Sequence, residues 1–181
     1  MSRTVRKLTS MAILAALSII LVAIIHFPIF PAVAFLEYDP ADIAILICGF
    51  AFGPVAGICV TIVASVIQGL TVSASSGIYG IIMHVIATSA LVATSSLIYS
   101  KHKNKKGALI SVICGVVAMT AVMIPANLFI TPVFMGAPRA AIVQLLPFII
   151  LFNFIKAGIN GTVTFFIYKK ISTLIHKFDQ D

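Results

Sequence analysis

Residues 142–168 read IVQLLPFIILFNFIKAGINGTVTFFIY, an apolar run in which Lys156 is the only charged residue and follows Asn153 by about one helical turn. At 1.5 Å per residue the run is long enough to cross a bilayer as a helix. A lysine at such depth costs on the order of 3 kcal/mol on insertion scales, so it is retained for function or paired inside a bundle.

The remaining sequence has the same character. Of 181 residues, 61% are hydrophobic and only 9% charged, too few polar groups to cover a water-soluble surface. The chain therefore reads as an all-α integral membrane protein. Apolar stretches at 8–26, 36–53, 55–72, 78–99, 108–130 and 142–168 predict six transmembrane helices in one bundle, forming a single domain over 1–181. The second stretch is the short one. Its mainly apolar part, 41–52, falls below the roughly 20 residues a span needs, so it requires 35–40, a tilt or a locally thin bilayer.

Charge placement tests this count independently. Arg3, Arg6 and Lys7 precede the first span, Lys101, Lys103, Lys105 and Lys106 lie between the fourth and fifth, and Lys169, Lys170 and Lys177 follow the sixth. With an even number of spans, the positive-inside rule places all of them, and both termini, in the cytoplasm. Glu37, Asp39, Asp42 and Arg139 fall on the opposite side. The net charge of +7 then reflects topology and contact with anionic membrane lipid rather than nucleic-acid binding. A cleaved secretory signal over the first 34 residues would break this parity, and the apolar run is longer than a signal core. Cys48, Cys59 and Cys114 lie inside apolar stretches without metal-ligand spacing and read as core residues, with no metal site.

Polar residues within the spans fall into stripes at 100° per residue. Asn153, Lys156, Asn160 and Thr164 share one face of the sixth helix. Thr120, Asn127 and Thr131 share a face of the fifth, where Pro125 removes a backbone donor. Thr61, Ser65 and Gln68 align on the third, and His84, Thr88 and Ser95 on the fourth. For serine and threonine, interhelical hydrogen bonding is a sufficient explanation. Lys156 between two asparagines points instead to a ligand site. No acidic partner shares its span, which favours a hydrogen-bond donor to a neutral solute over a proton relay. Asp39-Pro40-Ala41-Asp42 has the form of a helix start, with a cap, a proline at the first position and an acid in the first turn, so both aspartates read as capping residues. Glu37 lies just outside that cap. The long connections 27–40 and 131–141 are candidate binding loops, and Gly53-Pro54 allows only a tight turn. On the first helix, Ala12, Ala16 and Ala23 form a strip of small side chains, fit either for packing within the chain or for docking a partner.

Together, the Ala12/Ala16 strip, the segment FLEYDPADI at 35–43, FGPVAG at 52–57 and FNFIKAGIN at 152–160 resemble the substrate-binding S component of an energy-coupling factor (ECF) vitamin transporter, most closely its riboflavin-specific branch. The likeness covers nearly the whole chain. It implies a multi-pass subunit of a prokaryotic plasma membrane that captures a vitamin from outside under the long first loop and carries no cofactor beyond riboflavin as transported ligand. It also implies docking, through Ala12 and Ala16, on a transmembrane coupling protein driven by two cytoplasmic ATPases. The absence of a phosphate-binding loop motif agrees with energy supplied from elsewhere. Carried over, Asn127, Asn153 and Lys156 match positions that hydrogen-bond flavin, Asn160 continues their motif, and Glu37 lies in the loop segment that approaches the ligand. Two departures concern the ligand: the third helix carries the neutral run 61–68 where relatives carry lysine, and the chain has no tryptophan. Another vitamin, such as pantothenate or a pyrimidine or pyridine precursor, is the alternative within this class. A small membrane enzyme would have only Asp39, Asp42 and His84 to work with, so no catalytic residue is assigned.

Overall fold

A computed structural model describes residues 2–178, with side chains through Tyr168; those of Lys169, Lys170 and Lys177 lie outside the described ones. The described residues form six α-helices: α1 Arg3–Ile24, α2 Ala41–Phe52, α3 Pro54–Leu70, α4 Gly77–Lys101, α5 Lys105–Met135 and α6 Arg139–Phe178. Four stretches are long and apolar enough to cross a membrane: Arg3–Ile24, Ala74–Lys101, Lys105–Met135 and Arg139–Tyr168. The short helix α2 is accommodated by position rather than by length, whereas α3, of 17 residues, presents an exposed apolar face that includes Val55, Ile62 and Val63.

α2 is the axis of the bundle. Nine of its 12 residues are buried, with Ile45, Leu46 and Ile47 almost wholly so, and it packs against α1, α3, α4 and α6. At 1.5 Å per residue it is about 18 Å long, well under the hydrocarbon thickness of roughly 30 Å. Enclosure by its neighbours removes the need to match that thickness. The outward faces of the longer helices carry the lipid-compatible side chains instead, including Leu8, Ile13 and Ile20 on α1 and Ile110, Ile113 and Val117 on α5. α1 turns Leu14, Ala15, Ser18 and Val22 inward, which leaves Ala12, Ala16 and Ala23 exposed. The small-residue strip is therefore not used for packing within the chain.

Local chemistry sets the connections. Ser2 caps α1 by accepting a hydrogen bond from the Val5 amide. Gly53 alone separates α2 from α3, with φ 92° and ψ 172°, and Pro54 begins α3. Only glycine reaches that backbone region without strain. The expected 131–141 loop is shorter than its composition suggested. α5 continues past Pro125 and Pro132 to Met135 and stops at Gly136, whose φ of 60° gives a left-handed cap. In a packed membrane bundle an internal proline loses one backbone bond without ending the helix.

The 27–40 connection is more ordered than a simple loop. Phe27–Pro28 (β1) pairs antiparallel with Glu37–Tyr38 (β2), and a 3₁₀ turn at Pro31–Val33 lies between them. Val33 is fully buried in a second small core with Ile142 and Ile149, which fastens the segment to the start of α6. Alternation along the chain places this segment, the 71–76 turn and 136–138 at one end of the bundle, and Gly53 and 102–104 at the other. Gly53→Ala is expected to lower stability by about 1–3 kcal/mol, read as a drop in the thermal midpoint of the purified protein; an unchanged midpoint would mean that the turn relaxes freely.

Candidate functional site

A cavity opens within the end of the bundle that carries the 27–40 segment. Phe35 and Leu36 roof it, and α3 to α6 supply the walls, with Ile81, Met83, Met119, Met123 and Phe152 forming the apolar surface. A smaller adjoining cavity shares Phe35, Leu36 and Met83 and reaches Thr131 and Phe134 on α5. The roof segment thus covers both.

Lys156 enters the larger cavity from α6, but it is not alone. Its Nζ donates to Asp39 Oδ2 at 2.7 Å, and both side chains are nearly fully buried. The partner missing from its own span comes from the junction of β2 and α2, 117 residues earlier. Capping accounts for only half of Asp39, whose Oδ1 accepts from the Ala41 amide at 3.0 Å. Asn160, one turn further along α6, completes the fastening. Its Nδ2 donates to the Asp39 carbonyl at 2.9 Å and to Asp42 Oδ2 at 3.0 Å, and its Oδ1 accepts from the Tyr38 hydroxyl at 3.0 Å. Asp42 Oδ1 in turn accepts from Thr88 Oγ1 at 2.7 Å. Four elements, β2, α2, α4 and α6, are joined by one buried polar network.

His84 lies at the edge of this network. Ser65 Oγ donates to the Thr61 carbonyl at 2.6 Å and lies 2.7 Å from His84 Nδ1, so with its proton so used the hydroxyl accepts from the ring. His84 Nε2 stands 3.8 Å from Asp42 Oδ1. Asp39 is engaged on Lys156, Asp42 on Thr88 and Asn160, and His84 through Nδ1 on Ser65, while His84 Nε2 has no hydrogen-bond partner among the described residues.

Of the five residues assigned to the ligand in the sequence, Glu37, Asn153 and Lys156 line the cavity together, joined there by Asp39, Ser65, Gln68 and His84. Asn160 is fully buried behind Asp39 and lines neither cavity. Asn127 is also fully buried outside both linings; its Nδ2 donates to the Met123 carbonyl and its Oδ1 accepts from Thr131 Oγ1. Asn153 Nδ2 donates to the Ile149 carbonyl at 2.8 Å. The Lys156 ammonium has three donors, of which Asp39 takes one, leaving two for a ligand. Two participants were not found from periodicity, the Asp39 side of the ion pair and the Tyr38 hydroxyl. A signal for the first existed: the chain has five acids, of which three cluster at 37–42 and the other two follow residue 178, so a buried lysine had few partners to choose from.

A helical bundle with a roofed cavity, lined mainly by apolar side chains and a few polar groups, has the form of a solute-binding membrane protein. The family model of the ECF transporter substrate-specific component matches residues 6–168, and the chain belongs to that family. The riboflavin transporter FmnP of Bacillus subtilis is 29% identical over 175 residues, covering 89% of this chain and 88% of that protein. A solved structure of the S component of a bacterial ECF transporter aligns with a TM-score of 0.84 at 26% identity, covering 96% of this chain and 99% of that one.

Breaking one side of the ion pair leaves a buried charge uncompensated, so Lys156→Met is expected to destabilise the protein by about 3 kcal/mol. The double variant Lys156→Met with Asp39→Asn should recover most of that loss in a thermal or denaturant melt. Additive losses in the double variant would show that the two groups are not coupled.

Proposed function

We propose that this subunit binds riboflavin from the outer side of a prokaryotic plasma membrane, with six membrane-crossing helices and both termini in the cytoplasm. The observation that carries the reading is the lining of the roofed cavity, where Asn153 and Lys156 stand beside Phe152, Met119 and Met123 and beneath Phe35 and Leu36. An isoalloxazine ring is flat and apolar on its faces, with carbonyl and imide groups on one edge. The apolar side chains suit the faces, while an amide and the free ammonium donors suit the edge. Similarity to the Bacillus subtilis riboflavin transporter supports the same ligand. Riboflavin is then cargo, and no resident cofactor is needed.

The orientation rests on charge. Arg3, Arg6 and Lys7 begin α1, and Lys101, Lys103, Lys105 and Lys106 flank the α4–α5 connection, so alternation of the helices brings these groups to one end. The roofed cavity is at the other end. Energy would come from a transmembrane coupling protein and two cytoplasmic ATPases, docked on the exposed Ala12 and Ala16 strip, where small side chains allow close approach of another helix.

Purified protein is expected to carry or tightly bind riboflavin, seen as quenching of flavin fluorescence, with mass spectrometry identifying the copurified ligand. A different vitamin in the spectrum would replace the substrate and keep the subunit's role. Asn153→Leu should weaken riboflavin binding about tenfold or more. Ala16→Leu should reduce uptake in cells while leaving binding by the purified subunit unchanged; equal loss of both would refute docking at the strip.

A further inference from the structure

The cavity has a second polar wall that the Lys156 network does not use. It comes from the end of α3 and the turn leading into α4, where Gln68, Ser73 and Ser76 line the space. Gln68 is only 9% exposed, yet its bonding is incomplete. Its Nε2 reaches Ser73 Oγ at 3.5 Å, the outer limit of a hydrogen bond, and its Oε1 is buried without a partner. Turning the amide over exchanges the two atoms without supplying a second partner. Buried amide groups in folded proteins are nearly always satisfied, so an unfilled acceptor in a cavity wall points to a donor on the occupant.

The charge of the lining narrows the occupant further. Lys156 is the one lysine or arginine in the lining and is already paired, His84 is hydrogen-bonded through Nδ1 to Ser65 on the side of the Lys156 network, and Glu37 and Asp39 are both acids. A phosphate or carboxylate would find no free cation on the Gln68 wall. Hydroxyl groups, which donate and accept, match both the Gln68 amide and the serine hydroxyls.

We propose that Gln68, with Ser73 and Ser76, forms the subsite for a neutral, hydroxyl-bearing chain of the ligand, placing the ribityl chain at the α3–α4 turn and the ring edge at Asn153 and Lys156. This assignment rests on riboflavin being the ligand. It makes Gln68 a specificity residue, because its contribution depends on the chain and not on the ring.

The test is titration of the purified full chain by fluorescence quenching with two flavins, riboflavin and the analogue bearing a methyl group in place of the ribityl chain. Gln68→Met keeps the volume and removes the amide; it should raise the riboflavin Kd about tenfold and leave the methyl analogue within about twofold. Ser73→Ala, in the turn, should show the same selectivity with a loss of about threefold, and it decides the matter if Gln68→Met does not fold. Unchanged riboflavin affinity, or equal weakening for both flavins, overturns the subsite while the riboflavin reading stands. Failure of the unsubstituted protein to bind either flavin overturns the riboflavin reading and the subsite with it.

Discussion

The Lys156–Asp39 pair is the constraint from which the rest of the site follows. An ammonium and a carboxylate this deeply buried are tolerable only when each offsets the desolvation of the other and their remaining valences are filled. The 2.7 Å contact meets the first condition, and the Ala41 amide helps meet the second at Asp39. Because Asp39 sits where β2 gives way to α2, the pair ties the roof of the cavity to its α6 wall. Asn160 repeats the tie with hydrogen bonds to the Asp39 carbonyl, Asp42 and Tyr38. The roof is consequently anchored at both ends, through Val33 at the start of α6 and through Asp39 midway along it. The stretch between those anchors carries Phe35 and Leu36, which line the cavity.

Burial of α2 follows from the same arrangement. Its N-terminus must reach Asp39's partners in the half of the bundle that holds the cavity, and Gly53 must return the chain at its other end. Twelve residues between those points suffice because no part of α2 has to match the bilayer. The four longer spans provide the match, and α2 provides the packing surface they share.

Periodicity made the faces legible but not the depths. The stripes on α3 to α6 do point inward: Thr61, Ser65, Thr88, Ser95, Asn127, Asn153, Asn160 and Thr164 are all buried. A repeat of 3.6 residues fixes the angle of a side chain about its helix. It does not say how far along the axis a cavity extends, nor which neighbour a face meets. Asn127 and Asn160 are therefore on the predicted faces and yet outside the lining, one behind Met123 and Thr131, the other behind Asp39. Asp39 was hidden for a different reason. Its local sequence is sufficient for a helix cap, and nothing local announces a second bond to a residue 117 positions away. The continuation of α5 through Pro132 was hidden because proline's effect on a helix depends on the bundle around it.

The half of the bundle away from the cavity is closely packed. Below the cavity, Ile45, Leu46, Ile47, Leu91 and Val92 are almost fully buried, and Phe50, Tyr99 and Tyr168 stack with ring centroids 4.7 to 5.4 Å apart. Interiors of this density are not opened by rearranging a few side chains, since every displaced ring needs space that its neighbours already fill. Opening a path toward the 102–104 end would disrupt α2, which contacts four other helices. The chain alone thus supplies one accessible face and one sealed face. A body packed in this way holds a solute at one end without offering it a route through its own core, in keeping with membership of a family of substrate-specific components.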